Sequence, residues 1–330
     1  MSGRAFGFAR VHRHSQHQAG PGSGGHRFYP YRSEFEALND VLRLSEGMTH
    51  KAAAAGLALG GGKAVIIGDP QVNKTPELLR AYGRFVDSLG GRYITAADLG
   101  STAEDMDEIG TVTRHVVGRT EKAGGSGDTG WSTAYGVFQA IRAAAAEEFG
   151  SDELTGRTVG VEGAGKVGFH LVGLLTEAGA QVVITDLAEA PVLRIRAAYG
   201  NLRVSPAVIE DAVDIYAPCA LGSTLTPSSA RALRARVVCG AANNQLADPS
   251  VAAILAERGV VWVPDYIANA GGLIQANGER LGKPSSEVRA DIAALGSSVT
   301  DVIVEAKQSS ATTAAVADAL VRSRLTQTAR

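Results

Sequence analysis

Apolar residues recur at helical spacing beyond Ser33, at Phe35, Leu38, Val41, Leu42 and Met48. Ser33 and Glu36 form an S-x-x-E box at the front of this run, which predicts a helix through the alanine stretch after Lys51, stopping at Gly56. Gly60-Gly61-Gly62-Lys63 comes next, then a β-type run from Ala64 to Ile67 closed by Gly68-Asp69-Pro70. A second helix is expected to open with Thr75 as N-cap and Pro76 at the first position, and to end at Gly90-Gly91. Arg92 to Thr95 reads as another strand, with Asp98 just past its end.

After the glycine-rich segment Gly124 to Gly130, which reads as a hinge or domain junction, the pattern changes. Strand-like runs recur at Thr158–Glu162, Gln181–Thr185, Val213–Ala217, Arg236–Cys239 and Val260–Val263, with helical or turn segments between them. Strands alternating with helices imply an α/β fold with a parallel, doubly wound sheet. The tail after Arg280 has helical composition. The expected division is residues 1–130, 131–270 and a helical 271–330.

Composition narrows the class. Of the 330 residues, 45% are hydrophobic and 20% charged, too apolar for a disordered chain. A net charge of −2 supplies no electrostatic footprint for nucleic acid. No uncharged apolar run approaches the ~20 residues of a membrane span. Arg4, Arg10 and Arg13 are not followed by an apolar core, so no secretory signal is expected. Two cysteines, Cys219 and Cys239, make no disulfide framework and suit a reducing cytoplasm. His12, His14 and His17 read as a polar tail and not as a metal site.

The strongest local motif is Gly163-Ala164-Gly165-Lys166-Val167-Gly168. A lone G-x-G-x-x-G is weak evidence, and a glycine-rich turn with a surface Asp is the plainer reading. Here a strand precedes it, an apolar helix follows, and a second strand ends at Asp186. The glycines let backbone N–H groups approach a pyrophosphate at the helix N-terminus. A carboxylate at Asp186 accepts ribose hydroxyls and repels a 2′-phosphate, which favours NAD over NADP.

Only seven of the 32 basic residues are lysines, so Lys51 and Lys63 stand out. Three glycines before Lys63 let backbone approach a ligand closely, although a flexible turn with a solvated lysine fits as well, and Asp98 fits a surface aspartate. The segment from Lys51 through Gly60-Gly61-Gly62-Lys63 to Pro70 resembles the signature of the leucine, valine and phenylalanine dehydrogenases, a branch of the glutamate dehydrogenase superfamily of amino acid dehydrogenases. Gly24-Gly25 with Arg27-Phe28-Tyr29-Pro30, Thr133-Ala134-Tyr135-Gly136, Ala217-Pro218-Cys219-Ala220, Asn243-Asn244-Gln245 and Asn269-Ala270-Gly271-Gly272 match it too, in order.

The resemblance implies an N-terminal α/β substrate domain and a Rossmann-type NAD-binding domain with a cleft between them, the C-terminal helices packing back onto the first. It implies NAD-dependent oxidative deamination of an L-amino acid, valine or leucine foremost, to the 2-oxo acid and ammonia, and the reverse. Phenylalanine is the main alternative substrate, and a catalytically silent NAD-binding regulator the alternative of another class. A homo-oligomer is implied as well. By the same resemblance Lys51 holds the substrate carboxylate, Lys63 is the catalytic lysine and Asp98 shuttles protons. Gly24 and Gly25 line the substrate site. Asn244 and Asn269 fall at substrate and nicotinamide contacts, and Thr133, Ala220 and Asn243 at cofactor contacts. Cys219 falls beside the cofactor by position, although a packed, inert thiol suits it better. A lysine whose ammonium is disfavoured by burial and a neighbouring cation makes a competent general base.

Three features depart from the family. Against the resemblance, the N-terminal segment is expected to be shorter by about fifteen to twenty residues. Trp131 falls in a segment that is usually proline- and serine-rich, where it reads as core filling or cleft shaping. In the side-chain pocket, Ser23 and Asn277 stand where aliphatic residues are expected, while Ile274 and Ala96 keep the apolar character.

Overall fold

The computed structural model describes residues 6–9, 20–200 and 202–327, so His12, His14 and His17 lie outside the described residues. The chain divides into two compact units. One runs through Thr129 and takes back Leu273–Val288 and the tail from Leu320; the other is Gly130–Gly272 with Arg289–Ala319.

In the first unit the elements are β1 (Phe6–Ala9), β2 (Gly22–Tyr29), α1 (Glu34–Ala54), β3 (Gly60–Gly61), β4 (Lys63–Ile67), α2 (Pro70–Asn73), α3 (Pro76–Ser88), β5 (Tyr93–Ala97) and α4 (Ala103–Gly110). Both expected helix starts are present. The Ser33 hydroxyl accepts from the Glu36 amide, and Thr75 accepts from Leu78 ahead of Pro76. The Glu36 carboxylate reaches back to the Arg32 amide (2.9 Å) and not to Ser33 itself. β2 is the centre of the sheet, parallel to β3, β4 and β5, while β1 adds to β4 antiparallel. Phe6–Ala9 therefore contributes an edge strand, and the glycine-rich Gly22–Tyr29 is the central one. Glycines disfavour a strand by themselves; neighbouring strands on both sides override that.

Only part of the helical apolar row of α1 faces the interior, Val41 on the sheet and Met48 beside Leu273. Phe35, Leu38 and Leu42 are 73%, 51% and 40% exposed. The face that packs on the sheet is Ala37, Val41, Ser45, Thr49 and Ala52. These side chains are small because α1 lies directly on β3, where a Cβ on Gly61 would strike the Ser45 carbonyl and the Thr49 amide. On the other sheet face, Phe28, Ala64, Ile66 and Tyr93 pack with Leu78, Tyr82 and Val86 of α3 and Met106 and Ile109 of α4.

The second unit holds α5 (Gly130–Phe149), β6 (Thr158–Glu162), α6 (Lys166–Glu177), β7 (Gln181–Thr185), α7 (Glu189–Tyr199), β8 (Arg203–Val204), β9 (Ile215–Pro218), α8 (Pro227–Ala232), β10 (Val237–Val238), α9 (Val251–Glu257), β11 (Val261–Trp262) and α10 (Asp265–Ala268). Its sheet runs β11-β10-β9-β6-β7-β8, all parallel. The order in which successive strands are added reverses between β6 and β9, which is the doubly wound order with its switch point at the end of β6. The two-residue β8 is exposed and carried no periodic signal.

Four helices complete the chain: α11 (Gly271–Leu281), α12 (Ser285–Ala293), α13 (Leu295–Ser309) and α14 (Thr313–Gln327). They are shared between the units. In the first, Glu279 of α11 accepts from the Gly118 and Ser126 amides (3.0 and 2.9 Å), and the Arg324 guanidinium of α14 meets the Ala53 carbonyl at the C-terminus of α1 (3.1 Å), where a cation is favoured. In the second, α13 packs along α5, and Lys307 caps the Glu147 carbonyl (2.6 Å).

Candidate active site

In the first unit the chemistry gathers on the α1 side of the sheet. Strand alternation puts Ser23, Gly25 and Arg27 of β2, Lys63 of β4, and Ile94 and Ala96 of β5 on one face; register sets Gly25 beside Ala96 and His26 beside Ala64. Gly25 cannot carry a side chain, since its Cβ would come within 2.7 Å of Asp98 Cβ. Gly24 has Met48 of α1 close by, at 3.2 Å from where a Cβ would stand. Lys51, half-buried, follows Met48 by one turn on that helix.

Lys63 and Asp98 are brought together. The Lys63 ammonium donates to Asp98 Oδ2 in a short ion pair, with the lysine side chain only 8% exposed. The other oxygen accepts from the Leu99 amide (2.8 Å), and the Asp98 amide donates to Ser101 Oγ (2.9 Å). Arg27 stands beside the pair, its Nε 3.6 Å from Asp98 Oδ2 and its other end on Asp40 (2.9 Å). Burial by itself would raise the Asp98 carboxyl; the Lys63 ammonium, its hydrogen bond and the Arg27 guanidinium outweigh burial and hold it at about 2. Behind the pair, on the opposite face, His26 is fully buried with Nδ1 on Thr95 Oγ1 (3.3 Å) and Nε2 unpartnered. Burial lowers it to about 4.

The apolar wall beside this face comes from α11. Leu273 packs with Ala52, Leu59 and Met48, and Ala276 with Ile94, Val117 and Ala96. Ile274 is buried as well, and Ser23 is 5% exposed. Asn277 is half-buried, and its side-chain oxygen accepts from Arg280 Nε and Nη2 (3.1 and 2.9 Å). The amide is thus engaged within its own helix.

In the second unit the glycine-rich turn leads straight from β6 into α6. Gly168 touches the turn itself, because a Cβ there would strike the Gly163 carbonyl, while a Cβ on Gly163 would meet Ala220 N at 2.7 Å. Gly165 is the N-cap of α6, has no side-chain cap and is exposed with nothing near its Cβ position. The N-terminal amides and the dipole of α6 are therefore presented to an anion. Lys166 is exposed and Val167 half-buried at the helix start. Asp186, just past β7, accepts from the Ala164 amide (2.7 Å) and the Ala188 amide (2.9 Å).

Cys219 and Ala220 follow β9, and Asn243 and Asn244 follow β10, so all four lie at the same sheet end as the glycine turn. Burial pushes the Cys219 thiol up to about 12, the state of an inert thiol. Asn269 donates to Ala241 O and Asn243 Oδ1 (3.1 and 3.0 Å), leaving its own Oδ1 buried and unpartnered. Thr133 is half-buried in the first turn of α5, and Trp131 beside it stacks on Tyr135 (5.0 Å between centroids) beneath Arg289. A helix N-terminus without a side-chain cap, an acidic strand end and an orphaned amide oxygen, all after C-terminal strand ends of one parallel sheet, fit a dinucleotide.

Comparison with known proteins agrees with both halves. The profile of the Glu/Leu/Phe/Val dehydrogenase dimerisation domain matches residues 6–115, and that of the Glutamate/Leucine/Phenylalanine/Valine dehydrogenase domain matches 124–190 and 194–324. The chain belongs to this amino acid dehydrogenase family. Among its relatives, a valine dehydrogenase of Streptomyces virginiae is 48% identical over 93% of this chain and 87% of its own. A leucine dehydrogenase of Geobacillus stearothermophilus is 44% identical over 93% and 84%. The crystal structure of an L-tryptophan dehydrogenase from Nostoc punctiforme superposes with a TM-score of 0.81, at 38% identity over 94% of this chain and 90% of that one. The protein is thus an oxidoreductase of a pyridine nucleotide-dependent class.

Within this amino acid dehydrogenase, three features were missed from sequence. Arg27 lay in a matched motif but had no assigned partner. Leu273 and Ala276, one residue ahead of Ile274 and Asn277, pack against Met48 and Ile94, contacts that helical spacing alone does not set. The burial of His26 had no local signal at all. Among the described residues no cluster of His, Cys, Asp and Glu could hold a metal ion, and no helix is long and apolar enough to cross a membrane.

Proposed function

We propose that this dehydrogenase oxidatively deaminates a branched-chain L-amino acid, valine or leucine, to its 2-oxo acid and ammonia with NAD, and runs the reverse amination. The Lys63–Asp98 ion pair on a glycine-lined face carries the reading. Lys51 supplies a cation for the α-carboxylate. The wall of Met48, Ile94, Ala96, Leu273 and Ala276 suits an aliphatic side chain, which gains ~25 cal/mol per Å² buried. The glycine turn Gly163 to Gly168 and Asp186 would hold NAD, which would supply the hydride acceptor for the substrate Cα. Lys63 Nζ takes the proton of the attacking water after the amine has become an imine, and Asp98 exchanges protons with the amino group and the carbinolamine. Asp186 supports NAD over NADP, and the free thiols Cys219 and Cys239 suit the cytoplasm.

The same chain is expected to self-associate. Phe35, Leu38 and Leu42 form an exposed apolar row on α1, at i, i+3 and i+7, and burial against a second copy would remove it from water.

The test is NADH formation across a panel of L-amino acids at alkaline pH, with the 2-oxo acids and ammonium in reverse. Valine and leucine should lead the panel by kcat/KM. Phenylalanine leading would move the substrate to the aromatic class, and no turnover with any amino acid would leave a silent NAD-binding protein.

A further inference from the structure

We propose that Arg27 is a positioning residue that keeps the proton of the Lys63–Asp98 pair off Asp98, by holding a permanent cation on the carboxylate oxygen that Lys63 itself uses. The inference rests on the reading of Lys63 and Asp98 as the acid–base pair.

The geometry is specific. Asp98 Oδ2 faces two cations, the Lys63 ammonium and the Arg27 Nε at 3.6 Å. Arg27 is fixed at its far end by Asp40, to which its Nη1 donates at 2.9 Å, and Tyr31 donates to the same Asp40 oxygen at 2.5 Å. The Nε is buried without a hydrogen-bond partner of its own, and the Asp98 carboxylate stands 3.6 Å from it. The two side chains are 29% and 26% exposed, too enclosed for water to screen them fully.

A lysine that works as a base must pass through its neutral form, and in that form it no longer neutralises Asp98. A half-buried carboxylate that loses its only cation takes up a proton instead. The pair would then rest as a carboxylic acid beside an amine, with the proton on the wrong partner. Guanidinium does not deprotonate in proteins, so Arg27 favours the Asp98 anion as the resting form in both states of Lys63. The pair's proton then rests on Lys63, and Asp98 holds one only in passing between the amino group and the carbinolamine.

Other charges around the carboxylate do not substitute for it. Lys63 comes from β4, Arg27 and the buried His26 from β2, and Asp40 and Lys51 from α1. On the α4 side, Lys74 is already paired with Asp105 (2.7 Å). His26, held near 4, is neutral at working pH.

The experiment is the pH profile of kcat for the full-length enzyme with its best amino acid, measured for Arg27→Gln, Arg27→Lys and Asp40→Asn. Loss of a fixed positive charge favours proton uptake by the pair, whichever member binds it. In Arg27→Gln the acid limb should move to higher pH by about one unit, and kcat should fall by roughly ten- to a hundred-fold with KM little changed. Arg27→Lys should restore the limb. Asp40→Asn removes a negative charge beside the same guanidinium and should move the limb to lower pH. Opposite shifts from the two neutral variants are not produced by general loosening of the fold. An unmoved limb in Arg27→Gln, or a shift of the same sign in Asp40→Asn, overturns the proposal. If Arg27→Gln does not fold, the sign of the Asp40→Asn shift decides alone. Lys63→Ala with wild-type turnover would instead sink the underlying reading of the pair.

Discussion

Asp186 holds the glycine-rich turn by its second amide: its Oδ2 accepts the Ala164 N–H at 2.7 Å, while Oδ1 takes the Ala188 N–H at 2.9 Å. One carboxylate therefore serves the shape of the turn and presents a negative charge at the end of β7. Asp186→Ser should act on both. Stability should fall by about 1–3 kcal/mol, since charge-assisted hydrogen bonds to two amides are lost, as read by urea unfolding. The preference for NADH over NADPH, as Kd from fluorescence titration, should narrow by roughly ten-fold or more. A wild type that already binds NADPH better would remove the basis for the NAD assignment.

Lys63→Ala should lower kcat by roughly 10²–10⁴-fold, the usual worth of a positioned acid–base group, while Kd for NADH stays within about two-fold of wild type, a change of only ~0.4 kcal/mol. The lysine belongs to the first unit and the glycine turn to the second. Lys51→Ala should act mainly through KM, because it loses a carboxylate contact made in ground and transition states alike. Steady-state kinetics with equilibrium titration separate the two; equal losses in KM and kcat for both variants would contradict the division of roles.

His26 should make stability depend on pH between about 6.5 and 4. Its folded-state value is lowered to about 4 by burial, against 6.5 when unfolded, so in this window the unfolded chain binds the extra proton. Stability is then full above pH 6.5 and falls with decreasing pH, by up to about 3 kcal/mol from this group. His26→Asn, which cannot titrate, should flatten the curve there. Urea midpoints at half-unit steps from pH 7 to 4.5 provide the comparison, and identical slopes in the two proteins would show that His26 is not buried neutral.

Substrate choice should follow Ala276 and not Asn277. Ala276 packs among Ile94, Ala96 and Val117, whereas Asn277 is tied to Arg280. Ala276→Leu should lower kcat/KM for leucine by about ten-fold or more, since overfilling a packed site costs ~1–3 kcal/mol. Asn277→Val should leave the ranking of amino acids unchanged. A ten-fold gain for leucine in Asn277→Val would return that side chain to the pocket.

The cofactor half was legible in advance because its parts are neighbours in the chain. Strand Thr158–Glu162, the turn Gly163 to Gly168 and the helix after it are contiguous, and Asp186 closes the next strand. The substrate half was legible only as residue types. Lys63 and Asp98 are 35 residues apart, and Arg27 lies further still along the chain from Asp98. Nothing in local spacing says that β2 carries Arg27 between the strands that carry the other two.

What the amino-acid sequence determined by itself was therefore what acts over a few residues. The Ser33 and Thr75 caps, the proline at the start of α3, the glycine turn before α6 and the alternation of strands with helices are all set by hydrogen bonds and sterics within one or two turns. Tertiary structure decided what depends on the far side of a contact. It made Gly22–Tyr29 a central strand despite its glycines, because strands on both flanks satisfy its backbone. It rolled α1 so that Phe35, Leu38 and Leu42 face outward, because only small side chains fit where the helix lies on Gly61. It also placed Leu273 and Ala276 on the wall. A helix repeats every 3.6 residues whichever way it is turned, and its roll is settled by the surface it packs against.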